Sequence, residues 1–354
     1  MKPIFHSLTN FLFGKEKTDD YSEKVIKIPR ERIKILTYNF FLRPLVNTNE
    51  SDFKLERVLD FINELENFDI ICFQEVFGFM NNRKDLLILE AIKKGFYHFF
   101  SHPEPSFVSP YLFDGGILVL SRFKITKTDF FPTTYSVDID SVINRGLVYI
   151  QIEVCGNLIH LFTSHLQATY YSKSEDRVLT SYLVRKTQIE EICYNLNKCL
   201  QDNVKNNKDI VLLMGDFNVP AYEDKDVKKL YGEYSSEYAY LFGELNSYDY
   251  FKTKNIYYDQ FNEYPVTYGG YDPVLYDVSD FETKYCLDYI FEIKVNENSV
   301  KNNSKQKDKE KNNKLILVHE SIKVEPFLNN NKTNENPYSM LSDHKGISIE
   351  VKIE

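Results

Sequence analysis

The chain contains a series of apolar runs too short for helices, and several of them stop on a polar, oxygen-bearing side chain. Arg32-Ile33-Lys34-Ile35-Leu36-Thr37-Tyr38 runs into Asn39. Asp69-Ile70-Ile71-Cys72-Phe73-Gln74 ends on Glu75, and Ile210-Val211-Leu212-Leu213-Met214 ends at Gly215-Asp216. Unbroken apolar runs of about 4–8 residues predict strands covered on both faces. Between them, Leu55, Val58, Leu59, Ile62 and Leu65 recur at spacings of three and four, which predicts a helix from Phe53 to about Asn67. Residues 85–94 and 175–201 read as further helices. Strands that alternate with helices and then with hairpins predict a layered α/β domain.

The remaining pattern fills in that scheme. Gly115-Gly116 leads into a strand through Leu120, and 146–154 with 157–164 reads as a hairpin joined through Gly156-Asn157 that delivers His165. Strands are also expected at 286–295, near 315–324 and at 346–353. Residues 231–285 are rich in Tyr, Pro and Gly and show no period. Residues 1–30 read as a polar leader, residues 31–354 as one domain, and 296–314 as a low-complexity Lys/Asn-rich surface insertion.

Bulk properties narrow the function classes. The 354 residues are 43% hydrophobic, enough for a sizeable core, and carry a formal charge of −9. That charge weighs against sequence-independent nucleic-acid binding, which needs cations to neutralise phosphates. Five scattered cysteines (Cys72, Cys155, Cys193, Cys199, Cys286) show no metal-type pairing, and four lie in apolar or helical runs. They predict a reducing, cytoplasmic setting. No run approaches the roughly 20 apolar residues of a membrane span, so any membrane contact is expected to be peripheral.

The polar strand ends form a chemical inventory. Asn39, Glu75, His165, Asp216, Asn218, Asp288, Asp343 and His344 supply carboxylates, carboxamides and two imidazoles. A hard divalent cation needs oxygen ligands, and water activation needs a nitrogen base held by an acid. Each residue has a plainer reading alone: a turn Asn, a strand-end Glu reaching solvent, a hydrogen-bonded structural His, a Gly-Asp-Phe-Asn turn, an edge-strand Asp. In an extended segment Asp216 and Asn218 would share a face. Asp288 and His344 are expected to form a dyad, with Asp343 directed away towards a metal.

These segments, in order TYN, FQEV, SHLQA, MGDFN, LDYIF and SDH, resemble the endonuclease/exonuclease/phosphatase superfamily from about residue 32 to 353. The resemblance implies a DNase I-like four-layer α/β/β/α sandwich: two mostly antiparallel sheets packed face to face, with outer helices. It implies a Mg²⁺-dependent site, with Mn²⁺ or another divalent cation able to substitute. Glu75 would be the principal metal ligand, with Asn39 and Asp343 close by. Asp216 and Asn218 would contact the phosphate and the nucleophilic water. His344 would be the general base, oriented by Asp288, and His165 would stabilise a phosphoryl oxygen or protonate the leaving group.

Within the superfamily the chain is most similar to the neutral sphingomyelinases. Glu75-Val76-Phe77, His165-Leu166-Gln167-Ala168-x-Tyr170, Arg57 and Arg185-Lys186-x-Gln188 carry that likeness. The loop after Glu75, with Phe79-Met80, and the Lys/Asn-rich insertion depart from it. The implied activity is hydrolysis of sphingomyelin to ceramide and phosphocholine by a monomer acting peripherally on a phospholipid or sphingolipid surface. Rivals are a nuclease or inositol-phosphate phosphatase of the same fold, and an inactive lipid- or protein-binding scaffold. Phe77, Phe79, Met80, Tyr111, Leu112 and Phe113 read either as core or as residues that dip into the bilayer interface.

Overall fold

The computed structural model describes residues 31–44, 52–106, 108–170, 174–204, 208–221, 237–269, 275, 284–296, 313–330 and 332–354. The leader and most of the Lys/Asn-rich stretch lie outside the described residues. Both sheets and their helices belong to the unit Glu31–Glu354.

One six-stranded sheet contains β1 (Arg32–Leu42), β2 (Ile70–Val76), β3 (His98–Ser101), β4 (Leu118–Ser121), β11 (Leu315–Glu325) and β12 (Gly346–Ile353), in the order β11-β12-β1-β2-β4-β3. The other contains β5 (Lys124–Pro132), β6 (Gly146–Val154), β7 (Asn157–His165), β8 (Ile210–Asp216), β9 (Phe251–Asn255) and β10 (Asp288–Val295), in the order β5-β6-β7-β8-β10-β9. Each sheet has one parallel pair, β1 with β2 and β7 with β8, and its other named pairs are antiparallel. Parallel neighbours need a crossover. The first contains α1 (Lys54–Phe61) and the second contains α3 (Glu175–Asn203).

Strand alternation distributes the apolar side chains among three buried clusters. Ile33, Ile35, Ile70 and Cys72 of one sheet meet Ile150, Leu161, Leu212 and Ile290 of the other. Leu36, Tyr38, Ile71 and Phe73 face the opposite way, against Val58 and Phe61 of α1 and Leu87 and Ile88 of α2 (Arg83–Lys93). Tyr149, Phe162, Leu213 and Phe291 pack beneath Ile189, Leu196 and Leu200 of α3 and Leu241 of α4 (Glu237–Leu245). The order helix, sheet, sheet, helix follows from two-faced burial of each strand.

Several expectations are corrected. The helix from Phe53 stops at Phe61, and Glu64–Asn67 is a 3₁₀ turn. The hairpin turn is Cys155-Gly156, with φ of 48° and 79°, and Asn157 already belongs to β7. Two successive positive φ values match the twist of the flanking strands. Strands β3, β5 and β9 were not expected from the sequence. The aperiodic Tyr-rich stretch holds α4, β9 and α5 (Ile256–Phe261). Most of its described tyrosines, including Tyr238, Tyr248 and Tyr264, pack on the core.

Candidate active site

The face between the sheets changes character along the strands. Ile35, Cys72, Leu161, Leu212 and Ile290 are wholly apolar. Two residues further along β1, β2 and β7 lie Thr37, Gln74 and Thr163, all buried. Gln74 Nε2 spans the sheets, 3.2 Å from Thr37 Oγ1 and 3.3 Å from Thr163 Oγ1. The next positions are Asn39 and His165, beside Asp216, Asp288 and His344. All five are at most 4% exposed.

Register assembles three of these five. His165 is opposite Asp216 in the β7–β8 pair, and Asp216 is opposite Asp288 in the β8–β10 pair. Three neighbouring strands thus present these side chains in a row. Gly215 permits it: its φ is 141°, and a Cβ there would lie 2.1 Å from the Ser164 carbonyl oxygen. Only glycine tolerates that approach between the parallel strands.

The first sheet contributes the rest. Asn39 Nδ2 lies 2.9 Å from Asp216 Oδ2, 3.3 Å from Glu75 Oε1 and 3.5 Å from His344 Nε2. Its Oδ1 accepts from Phe41 N–H at 3.1 Å, so it offers its amide NH₂ to the cluster. Alternation from Phe73 would put Glu75 among the helix-packed residues. A left-handed backbone at Glu75 (φ 59°) breaks that alternation and brings the carboxylate to Asn39. Such a conformation in a non-glycine strand residue stores strain, and it marks functional sites more often than ordinary strand.

Just before β12, His344 Nδ1 lies 2.8 Å from Asp288 Oδ2. Its Nε2 is 3.6 Å from Asp216 Oδ2. Ser342 Oγ donates to the Asn39 carbonyl at 2.7 Å and accepts from His344 N–H, tying the tripeptide to β1. Asp343 Oδ1 is 3.2 Å from Ser342 Oγ, and its charge reaches Glu75 and Arg43. Asn218 departs from the extended geometry expected for it. The strand ends at Asp216, Asn218 is left-handed (φ 51°), and its N–H donates to Asp216 Oδ1 in a turn. Its side-chain NH₂ donates to the Leu166 carbonyl.

Burial and charge set the protonation tendencies. Burial pushes the Glu75 carboxyl up; Arg43 opposes this and Asp343 adds to it. Burial raises Asp216 as well, with His344 opposing and Asp288 adding. For His344 burial acts downwards, but the charges of Asp288 and Asp216 outweigh it and lift the imidazole to about 10. His165 goes the other way: burial, then Arg145, holds it well below its ordinary value. The same buried setting therefore pushes the two imidazoles in opposite directions.

Sequence reasoning passed over two arginines. Arg43 Nε is 3.5 Å from Glu75 Oε2. Arg145 bonds Asp140 Oδ1 at 2.6 Å and the His165 carbonyl at 3.0 Å. Each abuts the end of an apolar strand, a position that could have flagged it. Arg57 and Arg185 are buried scaffold. Arg57 donates to the carbonyls of Phe40, Phe41, Asp52 and Leu341, fixing the end of β1 against the segment before Ser342. Arg185 bonds Glu237 and the Gln167 carbonyl. Of the apolar residues near the site, Phe77 and Phe113 are core, whereas Met80 and Leu112 are exposed.

The donor set suits a hard divalent cation. Among the described residues Glu75 Oε2 and Asp288 Oδ1 are buried without a hydrogen-bond partner, and ligand atoms of Asp216, Asp288 and His344 lie within 4.8 Å of one another. Buried carboxylate oxygens left in this state are stabilised by a cation.

A model of the endonuclease/exonuclease/phosphatase family matches residues 36–291. A sphingomyelinase of Dictyostelium discoideum is 28% identical over 87% of this chain and 76% of its own length. The crystal structure of SmcL superposes with a TM-score of 0.59 at 19% identity, covering 91% of this chain and 99% of that one. Staphylococcus aureus beta toxin, in a mutant structure with bound magnesium ions, gives 0.55 at 20% identity over 91% and 99%. Likeness at these identities shows a shared fold, the DNase I-like sandwich.

Proposed function

The chain belongs to the endonuclease/exonuclease/phosphatase family, and from that footing we propose that it is a divalent-cation-dependent phosphoric diester hydrolase that cleaves a lipid headgroup. Sphingomyelin is the first substrate, giving ceramide and phosphocholine. The observation that carries the reading is the buried Asp288–His344 pair at 2.8 Å, with His344 Nε2 facing Asp216 and Asn39. The sphingomyelinase relative supports the lipid substrate.

In this reading Asp288 accepts from His344 Nδ1–H and fixes the tautomer. Nε2 then takes the proton of the attacking water as its oxygen bonds phosphorus. The bond from phosphorus to the ceramide oxygen breaks, and the alkoxide takes a proton from solvent. His165, held neutral, donates a hydrogen bond to a phosphoryl oxygen rather than serving as a proton store. Asp216, bridged to Asn39 and His344, orients the water; Asn218 holds Asp216 through its N–H. Glu75 and Asp343 would hold Mg²⁺, or Mn²⁺ in its place. Asn39 would join through oxygen only by releasing Phe41 N–H. The bound cation supplies charge neutralisation at the phosphoryl oxygens and lowers the affinity of His344 for its proton.

No described helix is long and apolar enough to cross a membrane. The proposed mode is peripheral contact of a cytoplasmic monomer with the lipid surface.

The test is turnover of sphingomyelin vesicles with Mg²⁺, repeated with EDTA, alongside phosphatidylcholine, inositol phosphates and abasic DNA. Activity that survives EDTA sinks the cation requirement. Preference for DNA or inositol phosphates sinks the lipid substrate.

A further inference from the structure

We propose that the buried Lys84–Asp114 ion pair positions Glu75: it fastens the segment after Glu75, so that this carboxylate stays in the conformation that receives the divalent cation. This rests on the cation-dependent hydrolase proposed above and adds to it two residues outside the catalytic cluster.

Glu75 needs outside support for its conformation. Its left-handed backbone (φ 59°) is strained for a residue with a side chain, and such strain persists only where surrounding contacts impose it. The three residues that follow make those contacts. Val76 N–H donates to the Gly116 carbonyl at 2.9 Å. The Phe77 ring lies over Gly116, where a Cβ would come within 2.8 Å of it. Gly78 N–H reaches Asp114 Oδ2 at a long 3.4 Å. All three lean on the turn Asp114-Gly115-Gly116.

Asp114 holds that turn together, and Lys84 holds Asp114. Asp114 Oδ1 accepts from the N–H of left-handed Gly116 at 2.7 Å, and His102 Nδ1 accepts from Gly115 N–H at 3.1 Å. Lys84 Nζ donates to Asp114 Oδ2 at 2.6 Å, with side chains only 7% and 1% exposed. The ammonium has room because residue 78 is glycine: a Cβ there would stand 2.7 Å from Lys84 Cε and 2.9 Å from Nζ. Lys84 runs against the preference of its own helix. It lies in the first turn of α2, the end where the helix dipole disfavours a cation, and its burial gives up the hydration of the ammonium. Helix stability does not select this lysine; the carboxylate it meets does.

Release of the pair leaves Glu75 free to relax to ordinary strand backbone, whose alternation points its side chain towards the helix-packed face. A cation then finds Glu75 competent for only part of the time, and its apparent affinity falls by that fraction.

The experiment reads Mn²⁺ affinity by electron paramagnetic resonance without substrate, and stability by thermal melting, for the unsubstituted protein and two variants. Lys84→Met/Asp114→Asn removes both charges together, so no lone buried charge remains, and a side-chain NH₂ replaces the acceptor of Gly78 N–H. Gly78→Ala keeps both charges but drives Lys84 Nζ from its place. Each variant is expected to fold and to bind Mn²⁺ about tenfold more weakly, the scale of one strained backbone conformation. Normal Mn²⁺ affinity in either folded variant, whatever its melting temperature, overturns the positioning role and leaves an ion pair that serves the fold alone. If the double variant does not fold, Gly78→Ala decides. If the unsubstituted protein binds no Mn²⁺, the cation-dependent reading fails, and this inference with it.

Discussion

The two halves of the inter-sheet face lie on the same strands and have opposite chemistry. In one half Ile35, Cys72, Leu161, Leu212 and Ile290 interdigitate with no polar atom to satisfy beyond the paired backbone. In the other, Asn39, His165, Asp216, Asp288 and His344 are just as buried and hold each other by hydrogen bonds and charge. The first half stabilises the sandwich through apolar area removed from water. The second costs stability, because carboxylates out of water disfavour their ionised forms. The apolar half acts as the frame that makes the polar half tolerable.

The contrast can be broken first at the polar end. His344→Ala is expected to lower kcat by a factor of roughly 100 to 10,000, and to lower the thermal midpoint of the metal-free protein as well, because Asp288 and Asp216 lose the imidazolium that favours folding. Near-normal turnover in a folded variant removes His344 as the base.

The apolar end should behave in reverse. Leu212→Ala is expected to cost about 3 kcal/mol in chemical denaturation, with kcat per folded molecule unchanged. A loss of kcat without loss of stability there would show that the halves are not separable.

A smaller effect sharpens the division. Asp216→Asn should abolish most activity of the cation-loaded protein yet raise the stability of the metal-free protein by about 1 kcal/mol, since it removes a buried acid beside Asp288. Equal or lower stability in denaturant melts would mean that the bond from Asn39 outweighs burial.

The last prediction concerns pH. Burial, with Asp288 adding and His344 opposing, lifts the folded Asp216 carboxyl from 3.8 to about 7. Folding therefore favours its protonated form. The stability this contributes is complete below about 4 and is lost as pH rises through 7. His344, for which Asp288 and Asp216 outweigh burial, adds stability that is full below 6.5 and fades towards 10. Metal-free protein should thus melt lower at pH 8 than at pH 5, and Asp216→Asn should flatten the acid part of that slope. A melting profile unaltered by Asp216→Asn would refute the assignment.

Legibility followed the strength of local pattern. β8 is an unbroken apolar run, the final strand alternates and α3 is long, and their observed limits lie within about two residues of those expected. β5, Lys124–Pro132, is mostly exposed, so it carried little apolar signal. β9 and α5 are short and rich in Lys, Asn and Tyr, and their stability comes from tertiary packing. The site shows the same split. Asp216 was recognisable because a wholly apolar strand delivers it. Arg43 and Arg145 were not, because a lone arginine beside a strand end looks like any solvated cation.

By itself the sequence determined the layered α/β class, the strands that bury both faces, and the polar residues at their ends, because two-faced burial and periodicity are local properties of the chain. Only the tertiary structure decided that these ends converge. Asp216 meets Asp288 and His165 through register, and meets Asn39 because two sheets pack face to face. It also decided that left-handed backbone at Glu75 brings the carboxylate to Asn39, and that Asn218 closes a turn instead of extending the strand. Alternation along a strand cannot foresee such breaks, because their strain is compensated by contacts with residues distant in the chain.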